Sequence, residues 1–523
     1  MARKTAAKKK APKRATKAHV AALPANAKKA ASKKTAGKTA GANGGIHRNG
    51  GPQVTIRHYC QGIGDCHLLK FTKDDGSPYW LMIDCGIHTS VKGGSATINK
   101  IVDDLLDITG GRLDVIVGTH EHADHFSGFS SAEERFAEFG KKKGVGEIWL
   151  AWTEDPHDDQ AKELDKYKEH ALTALTRTQT ALKDATGHLG LVRQGLAPLL
   201  EFQFGAKGDK VRAMRDNLVK LAPHNVRYFE PKDEPITIPG LSNLRIYVLG
   251  PPRDPALIKV VERKSEMYGL AGAGLPTAEA MYNAFRVADG ELDVANDYAA
   301  PFDGNMGVPL SDLTGPKGAE VASEVDEDFS DLLGNRYLGP AEAWRRIDQD
   351  WMAVGAGLGM QLDAKTNNTS LVLAFEFIDS GRVMLFTGDA QVGNWLGWQS
   401  LKWKVGDKTV TGPDLLARTV YYKVGHHGSE NATLKQKGLE LMKHADFSAF
   451  IPTNEKDAKN VGWGAMPFTA ILDDLEKHAD GRVIRADDKW VAGKTVDPRF
   501  AKPSGSILKV QHEPGLWVEL DIA

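Results

Sequence analysis

The sequence lacks three features: enough cysteines for a disulfide framework, long apolar runs and an apolar export signal. Its 523 residues include 3 cysteines, an odd number that is not typical of a disulfide framework, so we expect a reducing compartment. No apolar run approaches the roughly 18 residues that a membrane-spanning helix needs, and we expect no membrane partner. The first residues contain no apolar signal core. We therefore expect an intracellular protein, either cytoplasmic or associated with a nucleoid or nucleus.

Acidic residues are absent from positions 1–50, which carry 14 lysines and arginines. Subtracting these 14 from the total of 67 basic residues leaves 53, against 68 acidic residues in the rest of the chain. Because positions 1–50 have almost no bulky apolar side chains, we expect a disordered basic tail. Such a tail attracts nucleic acid through salt-dependent release of counterions. The same composition also suits a solubilising arm or a localisation signal.

Positions 51–523 have the pattern of a single mixed α/β unit, in which short apolar runs alternate with helical periodicity. The predicted strands are 54–59, 67–71, 79–83, 115–118 and 148–152, with a closing hairpin at 507–511 and 516–520. The stretch of about 154–365 is far longer than a loop connection and must hold structure of its own. Apolar residues at helical spacing in 164–182 predict that this insertion is mostly helical.

Metal-binding residue types are densest at 119–125, which reads Thr-His-Glu-His-Ala-Asp-His and follows an apolar strand. Side chains alternate along an extended segment, so His120 and His122 point the same way and can hold one cation. Asp124 and His125 stand where the chain turns into a helix, and they can present an oxygen and a nitrogen to a second cation. Imidazole and carboxylate are ligands that zinc and similar cations take.

Four further segments carry short blocks that occur together in one known family. They are 79–86, which ends in Asp-Cys-Gly, 367–373, which begins with Asn-Asn, 383–390, which ends in Gly-Asp-Ala, and 422–429, which holds two adjacent histidines. With the motif at 119–125, they make the sequence similar to the metallo-β-lactamase superfamily. Together with 61–66, they most resemble the hydrolase domain of the ComEC/Rec2 competence proteins and their soluble relatives. The resemblance covers roughly 53–153 and 366–522, and it implies an αββα sandwich around a large, mostly helical insertion.

The resemblance implies a dinuclear site with two divalent metal ions, zinc or alternatively manganese, and a bridging hydroxide as the nucleophile. The implied ligands are His120 and His122 for the first metal, Asp124, His125 and one of His426 and His427 for the second, and Asp389 as a bridge. The sequence does not tell which of the two adjacent histidines binds metal and which faces the substrate as a hydrogen-bond donor or general acid.

Asp84 is predicted to orient the metal-binding loop by accepting a hydrogen bond from a ligating imidazole. The alternative is an ordinary aspartate in the turn that ends a strand. We therefore expect catalysis to depend on Asp124, His426, His427 and Asp84.

The chain departs from the family pattern in two places. Where most members have a third histidine for the first metal, this chain has Asn367 and Asn368. An amide oxygen is a harder ligand than imidazole, which predicts a looser first site or a preference for manganese. The segment 463–467 reads Trp-Gly-Ala-Met-Pro where the ComEC-like branch has a His-Pro-His-Pro-like segment, so a proton donor or a substrate contact is missing.

Three functions are compatible with these residues. The first is a metal-dependent phosphodiesterase or nuclease, which the ComEC-like blocks and the basic tail favour. The second is a hydrolase of a small ester, lactone or amide, because the motif does not contain the contacts that select a substrate. The third is a nucleic-acid-binding protein with a degenerate metal site, against which the complete set of predicted ligands argues.

Overall fold

The computed structural model describes residues 52–201, 203, 211–258, 282, 285, 286, 336, 350–460 and 463–523. The basic tail predicted at 1–50 lies outside these residues. Within them, no helix is both long enough and apolar enough to cross a membrane. The three cysteines, Cys60, Cys66 and Cys85, are free thiols.

The described residues form sixteen strands and twelve α-helices. The strands are β1 (Val54–Tyr59), β2 (Cys66–Thr72), β3 (Pro78–Cys85), β4 (Arg112–Val117), β5 (Gly144–Ala151), β6 (Val226–Phe229), β7 (Leu244–Gly250), β8 (Val372–Phe377), β9 (Val383–Phe386), β10 (Lys402–Val405), β11 (Lys408–Thr411), β12 (Thr419–Lys423), β13 (Ser448–Ile451), β14 (Val483–Arg485), β15 (Ile507–Glu513) and β16 (Trp517–Ile522). The helices are α1 (Gly94–Thr109), α2 (Ala123–Ser131), α3 (Glu133–Lys141), α4 (Asp159–Ala181), α5 (Gly187–Glu201), α6 (Val211–Lys220), α7 (Pro255–Ile258), α8 (Val354–Asn367), α9 (Val392–Trp398), α10 (Gly412–Ala417), α11 (Glu455–Asn460) and α12 (Thr469–His478).

Two large sheets form the centre of the fold. The first has eight strands in the order β15-β16-β1-β2-β3-β4-β5-β6, and the second has six in the order β14-β13-β12-β9-β8-β7. Strands β3 to β6 run parallel in the first sheet, as do β9, β12, β13 and β14 in the second. The carboxyl ends of parallel strands lie at one edge of a sheet, which is where an α/β fold commonly holds its ligands.

The two sheets pack face to face over a shared apolar core. Ile56 and Leu69 from the first sheet belong to the same buried cluster as Phe375 and Phe386 from the second. Helices α1, α2, α3 and α6 cover the outer face of the first sheet, and α9 and α12 cover that of the second. Each fully buried leucine or phenylalanine stabilises the fold by about 1.5–3 kcal/mol. The core therefore holds the strand ends of the two sheets in a defined relative position.

The predicted insertion at 154–365 contributes to both sheets as well as forming helices. Strand β6 extends the first sheet and β7 forms an edge of the second. Helices α4, α5 and α8 pack on one another around Leu175, Leu196 and Leu358, which form a separate small core. The long helix predicted at 164–182 is confirmed as α4.

The sequence predicted most strand positions within a few residues. The strand at 54–59 and the closing hairpin are confirmed, and the hairpin is β15 paired antiparallel with β16. The parallel strands β4 and β5 begin three or four residues earlier than predicted, at Arg112 and Gly144. The mixed α/β architecture predicted from the alternating pattern is confirmed.

Candidate metal centre

The candidate centre lies where strands of both sheets end. In the first sheet, β3 ends beside Asp84 and β4 leads into the motif at 119–125. In the second, β9 leads to Asp389 and β12 to the two adjacent histidines. The approach of the β3 end to helix α2 requires glycine, because a Cβ at Gly86 would lie 2.3 Å from the carbonyl carbon of Asp124.

Four buried side chains from distant parts of the chain converge at this place. One ligand atom from each of Asp124, His125, Asp389 and His427 lies within 4.8 Å of the others. His427 Nε2 is 2.9 Å from Asp124 Oδ2 and 3.9 Å from Asp389 Oδ2. His125 Nε2 is 3.2 Å from Asp389 Oδ2 and 3.8 Å from Asp124 Oδ2.

These four side chains can hold a metal ion. Donor atoms about 2.1 Å from a zinc ion lie roughly 3–3.5 Å apart when the geometry is tetrahedral, and the observed separations are close to this range. Asp124 Oδ1, His125 Nε2 and Asp389 Oδ2 are buried and have no hydrogen-bond partner among the described residues. Buried polar atoms are normally satisfied, so these unsatisfied ligand atoms are consistent with a cation at this place.

His120 and His122 form a second potential ligand pair beside this group. His120 Nε2 lies 3.1 Å from His122 Nδ1, a separation that suits two nitrogens on one cation. The ring centres of His120 and His125 are 4.2 Å apart, so the pair adjoins the four-residue group. The structure therefore brings together the residue types that the sequence assigned to two adjacent metals.

Two of the histidines are held through the ring nitrogen that faces away from the group. Asp84 Oδ2 lies 2.8 Å from His125 Nδ1, and the same carboxylate accepts hydrogen bonds from the backbone and hydroxyl of Thr119. His427 Nδ1 lies 2.6 Å from the carbonyl oxygen of Pro452 and can donate a hydrogen bond to it. Acceptors at these positions select the tautomer that leaves Nε2 free to bind metal. Asp84 thus contacts an imidazole of a candidate metal ligand, which is the kind of partner that the sequence predicted for it.

The structure distinguishes the two adjacent histidines geometrically. His427 joins the four-residue group, whereas the ring of His426 contacts Ser429 Oγ at 2.8 Å and Gln391 Nε2 at 3.3 Å. The backbone N–H of His426 donates to Asp389 Oδ1 at 2.9 Å, which leaves Asp389 Oδ2 directed at the group. Both histidines have positive φ angles of 44° and 53°, a conformation that few non-glycine residues adopt and that costs about 1–3 kcal/mol.

Charge balance in the group depends on its carboxylates. Burial alone lowers the pKa of His125, but Asp389, Asp124 and Asp84 outweigh burial and raise that pKa well above its usual range. Burial raises the pKa of Asp389, and the positive charge of His125 then lowers it well below its usual range. A proton on His125 therefore neutralises carboxylates that a divalent cation can neutralise in its place. Metal binding is expected to release protons.

A buried lysine, Lys423, lies close to the group. No residue pattern in the sequence predicted a role for it. Lys423 Nζ contacts Asp65 Oδ2 directly and lies 3.2 Å from the carbonyl oxygen of Gly388. Asp65, Asp84 and His125 also lie close enough to hold a cation. The ammonium of Lys423 already supplies a positive charge to Asp65, so we regard this second cluster as the support of the first. In the sequence, this second cluster is indicated only by polar residues at the ends of otherwise apolar strands.

The two adjacent asparagines Asn367 and Asn368 have different surroundings. Asn368 Oδ1 accepts hydrogen bonds from the backbone N–H groups of Gln391 and Asn394 and therefore stabilises a turn. Asn367 Oδ1 is buried and has no hydrogen-bond partner in the described part of the chain. Asn367 Nδ2 lies 3.5 Å from His426 Nε2, so Asn367 is the asparagine that borders the centre.

Two residues beside the centre, Asp363 and His88, were not predicted from the sequence. Asp363 on helix α8 lies 3.6 Å from His122 Nε2, and burial followed by Asp124 and Asp389 raises its pKa to about 8. His88 follows the Asp-Cys-Gly turn, and burial lowers its pKa to about 4. Neither residue lies at a spacing typical of ligands, and each is adjacent to the centre only through the tertiary fold.

Trp463 lies next to the centre. Its ring is 6.4 Å from that of His427 at an interplanar angle of 19°, and 4.9 Å from that of His88 at 78°. An indole therefore stands beside a candidate metal ligand. This arrangement supplies an apolar wall rather than a proton donor.

A square of ion pairs, formed by two buried glutamates and two partly buried cations, connects the motif to the helices of the inserted segment. Lys168 Nζ on α4 is 3.0 Å from Glu121 Oε2 and 3.5 Å from Glu154 Oε1. Arg215 Nη1 on α6 is 3.0 Å from a carboxylate oxygen of each glutamate. Burial raises the pKa of Glu121, but Lys168 and Arg215 outweigh it and lower that pKa to about 2. Since Glu121 lies between His120 and His122, the square holds this loop of candidate ligands in place.

The arrangement of these residues is the basis for any functional assignment. It combines a four-residue group that can hold a cation with an adjacent pair of histidines, and buried polar partners support both. Comparison of the chain with protein-family models, with curated proteins and with solved structures found no match.

Proposed function

We propose that this protein is a metal-dependent hydrolase of the metallo-β-lactamase type, with a dinuclear centre and a phosphodiester as its substrate. The observation that carries the proposal is the convergence of Asp124, His125, Asp389 and His427 into one buried group. Four layers, in the order helices, sheet, sheet and helices, agree with the αββα sandwich of that superfamily, as does the position of the group at the strand ends.

In this proposal, His120 and His122 would hold the first cation, the four-residue group would hold the second, and Asp389 would contribute its charge to both. A bound divalent cation lowers the pKa of water from 15.7 to about 7 and thus supplies hydroxide at neutral pH. Asp84 keeps His125 Nε2 directed at the centre by accepting a hydrogen bond from Nδ1. His426 lies outside the four-residue group and is the candidate for a hydrogen bond to the substrate.

A second candidate, hydrolysis of a small ester, lactone or amide, is supported by the charges around the centre. Lys168 and Arg215 face Glu121 and Glu154, and Lys423 faces Asp65. These cations already have carboxylate partners, whereas a phosphodiester needs positive charge to compensate its own. Under the first candidate, the metals and the basic tail supply that charge.

Metal analysis combined with a substrate panel tests the proposal. The full chain is loaded with zinc or manganese, desalted, and analysed for bound metal by mass spectrometry. It is then assayed against bis-p-nitrophenyl phosphate, DNA, RNA, a lactone and a β-lactam. We expect two equivalents of metal and hydrolysis of phosphodiesters. Hydrolysis of the lactone alone would support the second candidate, and a chain that retains neither metal would refute both.

The basic tail gives a separate prediction. Deletion of residues 1–48 removes 14 positive charges, and each lost phosphate contact reduces the slope of log K against log salt by about 0.9. DNA affinity should therefore fall and lose most of its salt dependence, while hydrolysis of bis-p-nitrophenyl phosphate stays within about twofold of the full chain. Fluorescence anisotropy at several salt concentrations measures the slope. An unchanged slope would contradict DNA binding by the tail and would favour its alternative role as a solubilising arm or a localisation signal.

A further inference from the structure

Asp363, in the inserted segment, lies close to the predicted metal ligand His122. It lies on α8, four residues before Asn367, and its Oδ1 is 3.6 Å from His122 Nε2. This Oδ1 atom is buried and has no hydrogen-bond partner within the described residues, although Oδ2 lies 3.4 Å from Asn367 Nδ2. The Asp363 side chain is 16% exposed, so bulk water does not screen it fully.

The two ring nitrogens of His122 face different groups. Nδ1 faces His120 Nε2 at 3.1 Å, the separation that suits two nitrogens on one cation. A nitrogen that binds a cation has no proton, so a neutral His122 that binds through Nδ1 has its proton on Nε2. Nε2 can then donate a hydrogen bond, and Nε2 is the nitrogen that faces Asp363.

The same pattern occurs at the two histidines of the second site. The outward nitrogen of His125 faces the carboxylate of Asp84, and that of His427 faces the carbonyl oxygen of Pro452. The contact to Asp363 is longer than either, and a movement of about 0.5 Å brings it into hydrogen-bond range. A side-chain rotation of this size is available to an aspartate at the end of a helix.

We propose that Asp363 is a positioning residue that accepts a hydrogen bond from His122 Nε2 and thereby directs Nδ1 at the first metal. The inference rests on the proposed function, because it requires that His120 and His122 bind a metal. It gives the inserted segment a specific task, since helix α8 supplies the carboxylate that faces His122 Nε2. The first metal then depends on Asp363, and the second depends on Asp84.

Metal titration of Asp363→Asn and Asp363→Ala tests the inference. Loss of a hydrogen-bond partner behind a ligating histidine weakens metal affinity by about 10–100-fold. We expect the affinity of one of two zinc ions to fall by this factor in Asp363→Ala, by less in Asp363→Asn, and least in Asp363→Glu, which restores a carboxylate. The second ion should bind as in the wild type. Competition with a chromophoric chelator measures both constants.

A matched control is Asp159→Asn, because Asp159 lies on α4 of the same segment and its side chain is 96% exposed. This variant should bind both ions as the wild type does. If Asp363→Ala binds both ions within twofold of the wild type, the inference is wrong. If the two-metal pattern is found but no substrate of the panel is hydrolysed, the inference stands and the proposed activity fails. A wild-type chain that retains no metal overturns both.

Discussion

Asp389→Asn is expected to reduce turnover by at least about a thousandfold while the protein remains folded. Asp389 Oδ2 faces His125 and His427, and in the proposed centre its charge would serve both cations. Loss of the several kcal/mol that metal ions supply to a transition state corresponds to roughly 10³-fold in rate. The steady-state rate with bis-p-nitrophenyl phosphate and the bound metal per chain measure the effect.

The substitution is conservative for the fold because asparagine keeps an oxygen that can accept the hydrogen bond from the backbone N–H of His426. Asp407→Asn, in the exposed turn between β10 and β11, is the matched control and should leave activity and metal content unchanged. If Asp389→Asn retains more than about a tenth of the wild-type rate, Asp389 does not bridge the metals.

Arg215→Met is expected to lower the free energy of unfolding by about 3 kcal/mol or more. Arg215 is 15% exposed and contacts both Glu121 and Glu154 at 3.0 Å. Removal of one partner from a buried ion-pair network leaves an uncompensated charge and typically costs about 3–5 kcal/mol. Methionine keeps most of the apolar volume, so the loss reports the charge rather than a cavity. Urea denaturation followed by circular dichroism measures the change.

A second variant separates charge from packing. Arg215→Met combined with Glu154→Gln removes one positive and one negative charge, and it leaves Lys168 paired with Glu121 at 3.0 Å. The double variant should recover at least half of the lost stability. Arg212→Met on the same helix, whose side chain is 41% exposed, should change stability by less than about 0.5 kcal/mol. A double variant no more stable than Arg215→Met would contradict the charge argument.

The sequence predicted those parts of the centre that depend on local chain direction. The alternation of His120 and His122 and the turn of the chain at Asp124 are properties of six consecutive residues, so spacing alone placed them together. The strands were likewise predicted from local apolar runs, and only their ends shifted. These features hold in the structure because neighbouring residues determine them.

Features that depend on how distant segments pack were not predictable. Whether His426 or His427 joins the group depends on two consecutive left-handed backbone conformations. No residue pattern in the sequence predicts these conformations. Asp363 reaches His122 only because α8 packs on α4 and α5. Lys423 appears in the sequence as one polar residue in an apolar strand, and its partner Asp65 lies more than three hundred residues away.

The origin of the ligands has a thermodynamic consequence. Asp124 and His125 follow a strand of the first sheet, whereas Asp389 and His427 follow strands of the second. Any cation that binds all four opposes separation of the sheets, and a ligand specific for the native state adds about 2.7 kcal/mol of stability at a hundredfold excess over its dissociation constant. If the group binds a cation, conformational stability and metal availability are linked quantities in this protein.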